Sequence, residues 1–278
     1  MELMLGTVQF GLDYGVSNAA GQVTGDEVAR ILDLAAREGV RRLDTARAYG
    51  ESEGVLGRAL SPGHAFRVVT KLPPGTTADA ARAHLEASLA ALGVEAVDGL
   101  LVHATADWTD ALAAALAALR EEGRVARIGA SVYDPSDAAV LSERYDLDLV
   151  QLPLNLFDQR ALRDGVLEIL AAQSVAVHVR SVFLQGLLLM DDAPFPEAAA
   201  PLRALQALAT ERGVDRVSLA LSFARALPVE AVLVGVTSAQ ELEEILSAWR
   251  GAPVSPSDFA SLAQTDLSLL DPSRWVNA

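Results

Sequence analysis

The chain has 278 residues, 51% hydrophobic and 21% charged, with a formal net charge of −15 and no cysteine. Its apolar fraction supports a large core and excludes disorder by composition, and the absence of cysteine excludes a disulfide framework, a thiolate metal site and a cysteine nucleophile. The acidic balance argues against nucleic acid or an anionic membrane as partner, and Met1–Gly6 lacks the basic region and long apolar run of a leader, so a soluble cytoplasmic protein is expected.

In chain order, a first strand is expected at 3–8. Thr24-Gly25-Asp26-Glu27 then reads as a capping box, opening a helix with the apolar stripe Val28, Ile31, Leu32 and Ala35. A strand at 41–44 precedes a helix near 51–60. A strand at 67–71 precedes a helix through Leu85, Leu89 and Leu92 that stops at Gly93. Next come a strand at 97–103, a helix at 110–122, a strand at 126–131 and a helix opened by Asp134-Pro135, a cap residue followed by proline. Strands at 147–153 and 175–181 flank a helix at 160–172. The longest expected loop is 182–200. Helices at 197–212 and 216–226, a strand at 231–236 and a helix at 239–249 complete the series. Residues 251–278 read as a C-terminal extension with one short helix.

The strands are rich in Val, Leu and Ile and barely alternate, as strands buried on both faces do. Eight of them alternating with helices, without a composition break, predict an α/β fold. The architecture expected is a (β/α)8 TIM barrel of parallel strands, one domain over 1–278. A doubly wound sheet is the alternative, but its G-x-G-x-x-G turn does not match Gly6-Thr7-Val8-Gln9-Phe10-Gly11.

Lys71 is the single lysine among 22 basic side chains. Its ammonium pKa moves on burial, whereas guanidinium stays charged. In a barrel the site forms at the C-terminal strand ends, and those ends carry Asp44, Lys71 and His103, with Tyr49 on the loop after the second strand. Asp44 supplies the counter-charge that a buried Lys71 needs. A nearby cation lowers a tyrosine pKa, which suits Tyr49 as general acid or base. His103 is placed to orient a carbonyl. The group contains no acyl-transfer nucleophile, no metal and no hydride source, so a cofactor must supply the hydride.

The segment Leu43-Asp44-Thr45-Ala46-Arg47-Ala48-Tyr49-Gly50-Glu51-Ser52-Glu53 resembles the D-T-A-x-x-Y-G-x-S-E signature of the aldo-keto reductases. The resemblance covers nearly the whole chain. It implies Tyr49 as proton donor, Lys71 tuning its pKa, Asp44 paired to Lys71, and His103 orienting the carbonyl. Gly6 and Thr7 resemble the family's pair beside the nicotinamide, Ser131 the serine after strand five, and Gln151 the glutamine that binds the carboxamide. Ser181, Phe183, Gln185 and Gly186 lie in a segment that resembles the loop over the pyrophosphate. Gly235, Thr237, Ser238, Glu241 and Glu244 lie in one that resembles the loop holding the adenosine phosphate end.

Three departures stand out. Val132 replaces the asparagine that usually follows the strand-five serine. Arg180 replaces the aromatic that stacks on the nicotinamide, and its charge is expected to disfavour the cationic oxidised ring. Residues 236–248 carry no Lys or Arg to grip a 2′-phosphate. NADPH is the family default and NADH the alternative.

The expected activity is reversible reduction of an aldehyde or ketone, possibly a sugar, acting on a small-molecule carbonyl or alcohol. The alternatives are a non-catalytic NADP(H)-binding regulatory barrel and a Lys71 Schiff-base lyase. Phe10, Tyr14, Arg47, Trp108 and Trp275 either line a substrate pocket or pack loops. His64, His84 and His178 read as structural, and the glutamates of 51–53 as helix caps or solvent-facing. The sequence is silent on oligomeric state.

Overall fold

A computed structural model describes residues 1–60, 63–252 and 254–275. Eight parallel strands close into a barrel in sequence order, β1 through β8. β1 (Glu2–Gly6) leads through α1 (Val8–Gly11) to α2 (Gly25–Arg37). β2 (Arg42–Asp44) is followed by α3 (Ser52–Ala59), and β3 (Arg67–Leu72) by α4 (Ala78–Leu92). β4 (Val97–Val102) precedes α5 (Asp110–Glu121), and β5 (Val125–Ser131) precedes α6 (Pro135–Arg144). β6 (Leu149–Pro153) leads to α7 (Arg160–Arg163) and α8 (Val166–Ala172), and β7 (Ala176–Arg180) to α9 (Pro196–Arg212) and α10 (Arg216–Ala224). β8 (Ala231–Gly235) precedes α11 (Ala239–Trp249), and α12 (Leu267–Leu270) lies in the tail. The closing pair β8–β1 runs from Glu2 opposite Ala231 to Gly6 opposite Gly235.

The TIM barrel expected from the sequence is therefore present, with local differences. The first strand stops at Gly6, and Val8, expected in it, begins α1. The expected helix 160–172 breaks at Asp164-Gly165, where Gly165 is left-handed with φ 69°. The expected loop 182–200 holds a 3-10 segment, Leu184–Leu189, and the first turns of α9. The tail contributes α12 flanked by two 3-10 turns, Pro256–Leu262 and Pro272–Arg274. It is fastened to the barrel by Phe259 edge-on to Phe223 and by Gln159 donating to the Phe259 carbonyl. Positions 253 and 276–278 of the expected extension lie outside the described residues.

Two apolar clusters explain the absence of alternation. The larger packs the outer strand faces against the helices, and the smaller, Met4, Val69, Leu101, Leu149, Ala231 and Leu233, fills the barrel interior. Side chains alternate faces along a strand, so residues two positions from an interior residue also point inward. Toward the N-terminal end Glu2 and Arg67 are such positions, and Arg42, Arg127 and His178 join them as register partners of the inward Met4, Gly99 and Ala231. Arg42 contacts Glu2 and Asp98, Arg127 contacts Asp98 and Glu230, and His178 Nε2 lies 3.0 Å from Glu230. Among the described residues no helix is long and apolar enough to cross a membrane.

Candidate active site

Two positions beyond the interior residues in the other direction, the same alternation builds the site. Val69 leads to Lys71, Leu101 to His103 and Leu149 to Gln151, while Arg42 and His178 on their strands lead to Asp44 and Arg180. On β1 and β8 the corresponding inward positions are Gly6 and Gly235, register partners. The mouth therefore carries polar side chains around most of its rim and a pair of glycines at the β1–β8 seam, with the Gln9 side chain lying against Gly235.

Lys71 is 1% exposed. Its Nζ donates to Asp44 Oδ1 at 2.8 Å, Asp44 Oδ2 at 2.7 Å and the Thr45 carbonyl at 2.9 Å. Burial pulls its pKa below the ordinary lysine value, and Asp44 opposes that pull. Gln151 Nε2 donates to Asp44 Oδ1 at 2.7 Å, and Ser131 Oγ donates to Gln151 Oε1 at 3.3 Å. A polar chain thus runs from Ser131 to Lys71. With its donors engaged by a carboxylate and a carbonyl, the ammonium is held charged, unlike the desolvated neutral amine of a Schiff-base lysine.

Tyr49 lies with its ring centroid 4.8 Å from Lys71 Nζ and 5.8 Å from the His103 ring, edge-on. Its pKa runs opposite to the sequence expectation. Burial raises it well above the ordinary tyrosine value, the Asp44 carboxylate raises it further, and Arg180 is the cation that lowers it. The reason is geometric: the charge of Lys71 is matched by Asp44. His103 is pushed down to about 3 by burial and then by Lys71 and Arg180, so it is neutral near pH 7. Its Nδ1 is buried without a partner. The proton is assigned to Nε2, since an orphaned donor costs more than an orphaned acceptor.

The loop bearing Tyr49 is fixed by side chains whose anchoring role the sequence did not reveal. Thr7 Oγ1 donates to the Asp44 carbonyl at 2.9 Å, and Ser52 Oγ meets Thr7 and Thr45 hydroxyls at 2.9 and 3.1 Å. Glu53, expected to cap or face solvent, is buried, accepts from Thr70 Oγ1 at 2.6 Å and pairs with Arg47. A threonine at each of three neighbouring strand ends was the signal available for this network. Gly50 has φ +56°, and a Cβ there would fall 2.5 Å from the Gly11 carbonyl. Glycine thus lets the β1 loop lie on the Tyr49 loop.

Across the mouth, Arg180 donates to the Val132 carbonyl at 2.9 Å and Ser181 Oγ at 3.0 Å and lies 4.4 Å over the Tyr133 ring. Among the described residues no carboxylate reaches salt-bridge distance of it. Tyr14, whose pKa burial pushes up to about 12, accepts from Gln185 Nε2 at 2.9 Å. This contact joins the β1 loop to the β7 loop. Phe10 is fully buried and Trp108 stacks on Tyr145, so both pack the fold. Trp275 packs on Phe195.

The aldo/keto reductase family profile matches residues 2–266. The chain belongs to that family. An aldo-keto reductase of Mycobacterium sp. (strain KMS) is 34% identical over 179 residues, 60% of this chain and 63% of that protein. This chain thus matches less than two thirds of that relative's length. The 6-dehydroglucose reductase of Agrobacterium fabrum is 30% identical over 237 residues, 76% of this chain and 77% of that protein. The holo form of a Bacillus halodurans aldo-keto reductase aligns with TM-score 0.80 at 19% identity, covering 99% of this chain and 95% of the other. A Bombyx mori aldo-keto reductase in complex with NADP aligns with TM-score 0.71 at 19% identity, covering 96% and 91%.

As in any aldo-keto reductase, the question is whether the rim accepts a nicotinamide dinucleotide, and the residues fit one. At the Gly6–Gly235 seam the Gln9 amide lies against Gly235, with its Oε1 buried and without a partner. Ser131 and Gln151 are adjacent in register at the mouth. Ser181 and Gln185 line the β7 loop, and Gly186, φ +91°, packs where a Cβ would strike Ser17. The Phe183 side chain is buried in the core. At the β8 end, both Thr237 donors go to Glu241, at 2.7 Å from the backbone and 2.9 Å from the hydroxyl. Ser238 caps α11, and Glu244 sits a turn along it, accepting from Gln240.

Proposed function

We propose that the protein is an NAD(P)(H)-dependent oxidoreductase that interconverts an aldehyde or ketone with its alcohol. The observation that carries this is the convergence of Tyr49, His103 and the buried Lys71–Asp44 pair at one end of the barrel. The similarity to a 6-dehydroglucose reductase supports a sugar-type carbonyl as substrate.

When bound, a reduced nicotinamide supplies the hydride. Neutral His103 donates from Nε2 to the carbonyl oxygen and fixes its orientation. Tyr49 keeps its proton at neutral pH because its pKa is raised. It releases that proton to the strongly basic oxygen that develops as the carbonyl is reduced. Lys71 and Asp44 form a rigid ion pair against which the phenol ring is packed. Gln151 and Ser131, tied to that pair, would hold the carboxamide of the bound nucleotide.

Tyr49→Phe is expected to lower kcat by roughly 10²–10⁴-fold while nucleotide affinity, read by fluorescence titration, stays within a few-fold. Full activity in the variant would place the proton donor elsewhere. A wild-type protein that binds the nucleotide yet reduces no member of a broad aldehyde and sugar panel would support the regulatory-barrel reading instead.

A further inference from the structure

At the N-terminus of α11, Glu27 reaches across from α2, and its Oε1 accepts from the Ala239 backbone N–H at 2.6 Å. The sequence pattern assigned Glu27 to a capping box with Thr24. Thr24 does accept from Glu27 N, but the carboxylate caps a helix 212 residues away in the chain. Glu241 folds back from within α11 and takes both donors of Thr237. The first donors of the β8–α11 turn are therefore held by two carboxylates. The cation in contact is Arg30, whose Nε donates to Glu27 Oε2 at 2.7 Å. Residues 236–248 add Glu243 and Glu244 and no basic side chain.

A helix N-terminus attracts an anion through its unpaired N–H groups and its dipole. Here the chain supplies those anions itself. A phosphate at this turn would have to displace two carboxylates and then lie beside them, and like charges brought together cost affinity. A ribose 2′-hydroxyl has the opposite fit, since it donates to a carboxylate, as an acidic residue selects NAD in dinucleotide folds of another class.

We propose that Glu27 and Glu241 select a dinucleotide whose adenosine ribose carries a free 2′-hydroxyl and exclude the 2′-phosphorylated form, so that the working cofactor is NADH. This rests on the oxidoreductase reading. Glu27 is a specificity residue that lies outside the loop where basic grips are sought.

The test uses the full chain and equilibrium binding. The ligands are NADH, NADPH and their nicotinamide-free counterparts, ADP-ribose and 2′-phospho-ADP-ribose. Wild type is expected to prefer the unphosphorylated member of each pair on the order of tenfold or more, with the preference shrinking as salt rises. Glu27→Gln/Glu241→Gln keeps one acceptor oxygen at each position, enough for Ala239 N–H and for one of the two Thr237 donors, and removes the charge. It is expected to bring the two members within about threefold, mainly by tightening the phosphorylated one. If that variant does not fold, judged by its melting temperature, the wild-type ratio and its salt dependence still decide. Tighter binding of the phosphorylated member, lost in Arg30→Ala, would overturn the proposal: Arg30 would then have left Glu27 for the phosphate. Binding of neither dinucleotide would overturn the oxidoreductase reading beneath it.

Discussion

Arg180 sits at an inward strand end, in a position where an aromatic ring was expected from the family resemblance. It is half-buried, bonded to Val132 and Ser181, and stacked on Tyr133. Its charge is felt across the mouth, lowering the pKa of Tyr49, His103 and Lys71 alike. A cation so placed would oppose a positively charged ring, so that, on the proposed function, a nicotinamide bound at this mouth would be held less tightly in its oxidised form than in its neutral reduced form. The Kd ratio of oxidised to reduced dinucleotide is therefore expected to fall several-fold in Arg180→Tyr, and an unchanged ratio would refute the argument. At this scale the identities in the site were legible, because Asp44, Lys71 and His103 end otherwise apolar strands. The direction of the Tyr49 pKa was not, because it depends on how much of the Lys71 charge Asp44 neutralises.

The element that carries Tyr49 is a loop held between two others. Its glycine, Gly50, and Gly11 at the end of α1 let the β1 loop and the β2 loop touch backbone to backbone. A Cβ on Gly11 would lie 1.9 Å from the Tyr49 carbonyl and 2.4 Å from Ser52 N. Gly11→Ala must therefore push the Tyr49 loop away from its partners. It is expected to destabilise the fold by about 1–3 kcal/mol and to lower kcat more than it weakens nucleotide binding. Calorimetry and steady-state kinetics check both, and a variant with wild-type melting temperature and kcat would show that the loops separate freely. Element order and type were readable from apolar runs and capping residues. Two differences, the first strand expected to run on to Val8 and the unbroken helix over 160–172, fall where local backbone angles decide: Thr7 leaves the extended region with ψ 16°. Gly165 adopts a left-handed turn that no hydrophobic period reports.

For the whole molecule, the two ends of the barrel divide the labour. The C-terminal end gathers Asp44, Tyr49, Lys71, His103 and Arg180. The N-terminal end is closed by the Arg42, Arg127, Asp98, Glu230 and His178 network, where Glu230 is held well below the ordinary glutamate range by the His178 hydrogen bond and by Arg127 and Arg42. Both ends make the fold acid-sensitive. His103 has a folded pKa near 3 against about 6.5 unfolded, so the folded state binds fewer protons between those values. Its contribution is complete above about pH 6.5 and is lost as pH falls toward 3. Glu230, also depressed, contributes fully above about 4.5 and loses its share below that. Stability from urea melts is expected to decline from about pH 6.5 downward and more steeply below about 4.5. In Glu230→Gln the lower part of the decline flattens. A wild-type stability that is level from pH 7 to 4 would contradict this.

The sequence by itself determined the eight strands, the barrel and the polar residues that gather at its C-terminal end, because apolar patterning and strand-end polarity are local properties of the chain. Tertiary structure alone decided what those side chains do to one another. It matched the charge of Lys71 with Asp44, set Arg180 as a further cation at the mouth, buried Glu53 under the Tyr49 loop and carried Glu27 to a distant helix. Those outcomes depend on distances between residues far apart in the chain, and electrostatic energy is a function of distance and burial rather than of order along the backbone.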